Sequence, residues 1–222
     1  MFPLYDTVRS LKFPLVNLTL IVANVLAFLY EIQMESSALE GFIFTWGLIP
    51  RHFLSDPSSG WTNILTSMFL HGGWFHIINN MWVLFIFGDN VEARMGSIRY
   101  LLFYLLAGTA AGLLQTYILP FSDTPMIGAS GAVAGVLGAY LILFPRSRIA
   151  SIVPLFFIFT LIEIPAFIFL LFWFASQLYS GLFAVQGGGG SGIAWWAHIG
   201  GFIFGVVMVS FFAIKRTAAH RV

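Results

Sequence analysis

The chain has 222 residues, of which 59% are hydrophobic and only 9% charged, and its formal net charge at pH 7 is +1. Soluble domains carry about 25% charged residues, so this composition indicates a protein whose main solvent is lipid. The near-neutral charge provides no basic surface for nucleic acid. The absence of cysteine excludes disulfides, thiol catalysis and cysteine metal sites.

Apolar segments that approach or exceed the roughly 20 residues needed to cross a bilayer recur along the chain. They cover residues 13–33, 75–93, 98–119, 128–145, 149–181 and 193–214. The sequence therefore predicts an all-α, polytopic membrane protein with six transmembrane helices. The first segment is expected to be a retained helix, because no Ala-x-Ala cleavage site follows it.

These segments divide the chain into three regions. Residues 1–12 are predicted to form an N-terminal tail, 13–214 the six-span domain, and 215–222 a C-terminal tail. Inside the domain, residues 34–74 form a long loop whose aromatic segments suit the membrane interface.

The basic residues predict the orientation of the chain. Nine of the ten lie on one side of the predicted spans, and Arg51 alone lies on the other. The positive-inside rule then places both termini in the cytoplasm. The membrane itself is expected to be the plasma membrane. The long loop and the glycine-rich segment 186–192 are expected to face outward.

Ser130 is the first polar side chain that stands out, because polar groups at membrane depth are costly and often functional. It follows Gly128 and Ala129 at the start of the fourth span. Taken alone, it is also explained as a helix cap. The flanking glycines and the free N–H groups of a first helical turn would nevertheless suit an oxyanion.

His198 lies at the start of the sixth span, at a predicted depth similar to that of Ser130. His198, Gly201 and Gly205 share one helix face, and Gly201-x-x-x-Gly205 is a small-residue packing pattern. The fourth span has a matching face, formed by Gly131, Ala134, Gly135 and Gly138. The two faces predict backbone contact between these helices, which would bring Ser130 against His198 as nucleophile and base.

A third polar group lies near the start of the second span. His76 and Asn80 are one helical turn apart, and His71 precedes them. We interpret Asn80 and His76 as donors to an oxyanion, with His71 either joining them or holding the loop. Two histidines also suit a metal, but no His-Glu-x-x-His signature or third ligand is evident. Glu163, in the middle of the fifth predicted span, receives no role.

Together these motifs resemble the rhomboid family of intramembrane serine proteases, over about Trp61 to Phe212. The segment HGGWFHIINN is similar to the family's histidine and asparagine motif, and VEARMGS to its turn after the second span. GASG carries the nucleophile and AHIGGFIFG the base. The resemblance implies a six-span bundle that cleaves transmembrane segments of single-span proteins through a Ser–His dyad, without cofactor or metal. Substrates would enter between spans two and five, where two prolines, Pro154 and Pro165, are compatible with a mobile gate.

The sequence departs from the family pattern at two places. Ala134 stands where the family often has an aromatic residue under the histidine ring, and Trp195 or Trp196 would have to compensate. Thr62 and Asn63 replace a Trp-Arg pair in the first loop, which affects how that loop is anchored.

Three other functions fit the sequence less well. A non-catalytic rhomboid-like binding protein would normally lack the serine or the histidine. A transporter would need paired charges at the midplane. An aspartyl protease would need two facing aspartates, whereas Asp89 and Asp123 fall on opposite sides.

Overall fold

The structure is a computed structural model that describes residues 2–8, 10, 12–155, 158–185 and 193–214. The glycine-rich segment 186–192 and the C-terminal tail 215–222, for which we predicted an outward loop and a cytoplasmic tail, lie outside the described residues.

Helices occupy most of the described chain. In chain order they are α1 (Leu15–Glu31), α2 (Ser36–Trp46), α3 (Pro50–Ser55), α4 (Pro57–Thr66), α5 (Trp74–Met95), α6 (Ser97–Ile118), α7 (Ser130–Leu143), α8 (Ala166–Val185) and α9 (Trp195–Phe212). Three strands accompany them: β1 (Phe2–Asp6), β2 (Arg148–Leu155) and β3 (Ile158–Pro165). A short 3₁₀ turn, Ser67–Phe69, leads into the loop before α5.

Most of the predicted spans correspond to a helix. Fewer than six of these helices are long and apolar enough to be identified as membrane crossings. Among the described residues, α6, α8 and α9 are long and apolar enough to cross a membrane, and α1 and α7 are shorter apolar helices. The rhomboid-like count of six crossings therefore remains a prediction.

The fold is mostly helical, as predicted, but it is not purely α-helical, because the three strands form an antiparallel sheet in the order β1-β2-β3. The fifth predicted span, 149–181, was placed too early. Its first half is a β-hairpin in which Arg148 pairs with Pro165 and Leu155 with Ile158, and α8 begins only at Ala166. The N-terminal segment is likewise a strand, with Phe2 opposite Ile152.

Two further expectations fail with that span. Pro154 and Pro165 lie in strands, so they cannot kink a gating helix. Glu163 lies on β3 opposite Ala150 and is exposed, so it is not at the centre of a membrane helix.

Glu92 joins α1, α5 and α6 at one end of the bundle. Its carboxylate accepts hydrogen bonds from the backbone N–H groups of Val16 and Asn17, at 3.1 and 2.8 Å, and from the Ser97 hydroxyl at 2.6 Å. These N–H groups belong to the first turn of α1, which has no intrahelical acceptors for them and favours a negative charge. The buried carboxylate therefore fixes the start of α1 against α5.

Helices α2, α3 and α4 form the long loop predicted over residues 34–74. Asn63 anchors it by donating to the carbonyl oxygens of Thr45 and Gly47, both at 2.8 Å. A bridge between Leu48 and Met126 ties the loop to the segment before α7. Asn63 thus gives this loop an anchor where the sequence lacks the Trp-Arg pair.

Glycines let α7 pack tightly between α6 and α9. A Cβ on Gly201 would collide with the carbonyl oxygen of Gly131, and one on Gly205 with that of Gly135. On the other side of α7, a Cβ on Gly135 would collide with Ala107 of α6. Backbone contact of this kind needs small residues at the crossing, and it sets the relative position of the first turns of α7 and α9.

Candidate active site

The first turns of α7 and α9 bring Ser130 and His198 together. The Oγ of Ser130 lies 2.8 Å from Nε2 of His198, although the residues are 68 positions apart in the chain. Both residues are partly exposed, so the pair is not sealed inside the bundle. A serine hydroxyl at hydrogen-bond distance from an imidazole is the arrangement that activates a nucleophile.

Gly128 shapes the approach to Ser130. It has a φ of +121°, a backbone conformation that glycine adopts without strain. Its N–H donates to the carbonyl oxygen of Ser67 at 2.8 Å. A Cβ at this position would lie 2.6 Å from Nε2 of His76 and 3.7 Å from Oγ of Ser130. The glycine therefore leaves open a space that both polar side chains border.

A small cavity beside Ser130 includes this region. It has a volume of about 20 Å³, and its lining includes Ser67, Gly128, Ser130 and Ala197. A cavity holds a water molecule once this volume exceeds about 10–15 Å³, so there is room here for one.

His76 presents a donor toward the same space. The N–H of Gly72 donates to its Nδ1 at 3.4 Å, so Nδ1 acts as an acceptor. A neutral imidazole with an accepting Nδ1 carries its proton on Nε2, which is the atom near Gly128. Asn80 follows one turn later on α5, and its buried Nδ2 has no hydrogen-bond partner among the described residues. The start of α5 thus carries two side-chain donors, Nε2 of His76 and Nδ2 of Asn80.

His71 lies behind His76, with 5.0 Å between the ring centroids and an angle of 66° between the ring planes. Its Nδ1 is 3.3 Å from the carbonyl oxygen of Phe69, and its backbone N–H donates to the buried carboxylate of Glu31 at 3.0 Å. Because a carbonyl only accepts, the ring proton of His71 is committed to Phe69. This geometry favours the structural alternative for His71, in which it supports the loop and His76.

Burial lowers the pKa of His71 to about 4, and the neighbouring His76 contributes in the same direction. The imidazole is thus neutral at physiological pH. Within the described residues, no group of three His, Asp or Glu side chains is arranged to hold a metal ion.

Two tryptophans flank the imidazole of His198. The ring of Trp173 on α8 lies 6.1 Å away at an angle of 32°, and Trp195 meets it edge-on at 6.0 Å. Sequence reasoning named Trp195 or Trp196 as compensation for Ala134, and it missed Trp173. Trp195 is in ring contact with His198, and Ala134 is fully buried within α7.

Gln177 on α8 also contacts the dyad, and sequence reasoning missed it. Its Oε1 is 2.8 Å from Nδ1 of His198, so the imidazole is held at both nitrogens. The side chain is 7% exposed. The available signal was a glutamine within an otherwise apolar segment. The limits of the fifth predicted span were misplaced, so the depth of Gln177 could not be matched to that of His198.

Comparison with known proteins gives one domain match and several relatives. The Rhomboid domain family matches residues 58–215. The rhomboid-family protein YdcA of Bacillus subtilis is 30% identical over 125 residues, which cover 51% of this chain and 62% of that protein. Rhomboid protease GluP of Bacillus subtilis is 37% identical over 114 residues, covering 51% of this chain and 21% of GluP.

A mitochondrial relative matches a longer stretch. The presenilin-associated rhomboid-like protein of Mus musculus is 28% identical over 172 residues, which cover 72% of this chain and 41% of that protein. The matched regions thus span less than two thirds of the length of each of these three relatives.

Proposed function

This chain belongs to the rhomboid family, and from that premise we propose that it is an intramembrane serine endopeptidase with Ser130 as nucleophile and His198 as base. The observation that carries the proposal is the 2.8 Å contact between Oγ of Ser130 and Nε2 of His198. A non-catalytic rhomboid-like protein has no need of this pair.

In the acylation step, Nε2 of His198 accepts the hydroxyl proton of Ser130 while Oγ attacks the carbonyl carbon of the scissile peptide. The resulting tetrahedral intermediate collapses when the carbon–nitrogen bond breaks. His198 returns the proton to the leaving amine. Water then attacks the acyl-enzyme, with His198 again taking and returning one proton. The cavity of about 20 Å³ beside Ser130 has room for that water.

The developing oxyanion would be held by the backbone N–H of Ser130, the Nε2–H of His76 and the amide of Asn80. The N–H groups of the first turn of α7 have no intrahelical acceptors. The tautomer of His76 and the unpartnered Nδ2 of Asn80 support the role of donors. Each donor of this kind contributes roughly 100- to 1000-fold in rate.

The substrates we propose are transmembrane segments of single-span proteins that reach the dyad from the bilayer. The site would open to the extracytoplasmic side of the plasma membrane, with both termini in the cytoplasm. Nine of the ten basic residues lie on the side of the predicted spans that carries the termini, and this supports the orientation.

A fluorophosphonate probe tests the proposal directly, because it labels only an activated serine. We expect labelling of the detergent-solubilised full chain, and cleavage of a single-span model substrate, to be lost in Ser130→Ala and His198→Ala. Ser210→Ala and His52→Ala are the matched controls, since both residues are exposed and lie outside the site. Labelling that persists in Ser130→Ala, or full cleavage by His198→Ala, would overturn the assignment.

A further inference from the structure

The imidazole of His198 must hold its proton on Nδ1 if Nε2 is to accept the proton of Ser130. A neutral imidazole carries one proton, and either ring nitrogen can hold it. The wrong tautomer would point a second donor at the serine hydroxyl and leave the nucleophile without a base. The group that contacts Nδ1 therefore decides whether the dyad is competent.

That group is the side-chain amide of Gln177, which presents either an acceptor oxygen or a donor nitrogen. The neighbours of the amide decide its orientation. Its Nε2 lies 2.9 Å from Oγ of Ser176 and 3.4 Å from the carbonyl oxygen of Trp173. The carbonyl oxygen has no proton to give, so the group that faces it must be the donating NH₂.

Ser176 strengthens this assignment. Its hydroxyl donates to the carbonyl oxygen of Trp173 at 2.6 Å, so its own proton is already used. Toward Gln177 it can only accept, which again requires the NH₂ of the amide on that side. The Oε1 of Gln177 is consequently the atom that faces Nδ1 of His198, at 2.8 Å.

The hydrogen bonds thus run in one direction along a chain that ends at a backbone carbonyl. Ser130 donates to His198, His198 donates to Gln177, Gln177 donates to Ser176, and Ser176 donates to Trp173. Turning the amide of Gln177 round would place its Oε1 against the carbonyl oxygen of Trp173, so the direction of the chain is set at Gln177. Gln177 is also buried, so water does not compete freely for the bond to Nδ1.

We propose that Gln177 is a positioning residue that holds His198 in the Nδ1–H tautomer, with Ser176 fixing the orientation of its amide. The inference rests on the proposed function in so far as it concerns catalysis. It goes beyond the Ser–His pair because it assigns a third side chain, carried by α8, to the competence of the base.

The test compares three variants of the full chain. Gln177→Met keeps the size of the side chain and removes the acceptor, and we expect fluorophosphonate labelling and kcat to fall about 10- to 100-fold while KM stays nearly unchanged. Gln177→Glu supplies an oxygen acceptor for Nδ1 again but loses the NH₂ that faces Ser176 and Trp173, so it should restore only part of the rate. Ser176→Ala should give a smaller loss, because the amide is then oriented by the Trp173 carbonyl alone.

Nitrogen NMR of histidine-labelled protein provides a readout that a purely structural role would not affect. The chain has five histidines, and the signals of His198 are identified by their loss in His198→Ala. We expect wild type to show protonated Nδ1, and Gln177→Met to show a mixture of tautomers. Gln115→Met is the matched control: Gln115 is buried to a similar degree and accepts the N–H of Ala197 on α9, but does not contact the imidazole.

The outcomes separate the two proposals. If wild type labels at Ser130, and Gln177→Met labels equally fast with an unchanged tautomer, the role of Gln177 is overturned and the proposed function stands. If wild type does not label at all, the proposed function fails, and the tautomer of His198 in wild type and Gln177→Met still decides the role of Gln177.

Discussion

Asn80 is a buried residue whose side-chain nitrogen has no hydrogen-bond partner in the part of the chain that the structure describes. An unsatisfied buried donor costs about 1–3 kcal/mol, which the fold tolerates when the group acts elsewhere. In the proposed mechanism, its partner forms only in the transition state. Stability and activity should therefore respond in opposite ways to its removal.

We expect Asn80→Ala to reduce kcat roughly 100- to 1000-fold while the thermal unfolding midpoint stays the same or rises. Substrate cleavage and unfolding in detergent measure the two effects. Asn63→Ala is the contrasting variant, because Asn63 donates to two loop carbonyls and its loss should lower stability. A clear drop in the unfolding midpoint of Asn80→Ala would contradict this account of Asn80.

His71 should make the stability of the protein depend on pH. Its pKa is about 4 in the folded state and 6.5 when unperturbed, so the unfolded state binds more protons between these values. The contribution of His71 to the free energy of unfolding is then fully present above about pH 6.5. It is lost as the pH drops toward 4, by at most about 3 kcal/mol.

Thermal unfolding of wild type and His71→Asn at several pH values measures this contribution. Asparagine keeps a donor for the Phe69 carbonyl but does not titrate, so the unfolding midpoint of His71→Asn should fall less steeply below pH 6.5. The exposed His52, changed to asparagine, is the control and should follow wild type. Parallel curves for wild type and His71→Asn would show that burial of His71 is not linked to stability.

The site residues differ in how well sequence alone predicts them. Ser130 and His198 could be paired because glycine spacing on two helices predicts which faces touch, and the structure brings these two residues together. Gln177 and Trp173 could not be found in this way, because they lie on the helix whose limits were misplaced. A residue cannot be matched in depth until the end of its helix is known.

At the scale of elements, the crossing of α7 and α9 depends on the missing Cβ atoms of Gly201 and Gly205. We expect Gly201→Ala to destabilise the protein by about 1–3 kcal/mol, because the methyl group would collide with the backbone of Gly131. Labelling of Ser130 should slow as well, since the helices carrying the dyad must move apart.

Gly41→Ala is the matched control for this substitution. Gly41 lies in α2, and a Cβ there would meet nothing within 4 Å. Alanine is the better helix former by up to about 1 kcal/mol, so this variant should be neutral or slightly more stable in thermal unfolding. Equal effects of the two substitutions would argue against backbone contact at the α7–α9 crossing.

The hairpin of β2 and β3 illustrates where hydropathy misleads. Residues 149–165 are apolar enough to pass for the start of a long helix, but they are rich in Ile and Phe, which favour strands. Each half is short, which also suits a strand. Average hydropathy measures burial or lipid contact and does not distinguish the two backbone conformations, so the helix was predicted too early.

At the scale of the whole molecule, the sheet constrains the topology. Strand β1 is hydrogen-bonded to β2, so residues 2–6 and 148–155 lie on the same side of the membrane. The chain between them must therefore cross the bilayer an even number of times. In the topology we propose, these crossings are α1, α5, α6 and α7. Of these four, α6 is long and apolar enough for a span, and α1 and α7 are shorter apolar helices.

Single cysteines test that topology without background, because the natural chain has none. In intact cells we expect a membrane-impermeant maleimide to label Ser58→Cys in α4 at once, and Glu163→Cys on β3 only after permeabilisation. Both positions are exposed, so access to the protein surface is matched. Labelling of both in intact cells would contradict the predicted orientation.

The pairing of β1 with β2 has a further consequence for biosynthesis. Phe2 pairs with Ile152, which follows 150 positions later in the chain. Because synthesis proceeds at about 5–20 residues per second, roughly 8–30 s pass between the synthesis of β1 and that of its partner strand. Over that time its edge is open to other chains. The hairpin of β2 and β3 is local and forms without this delay, whereas β1 can pair only after β2 has been made.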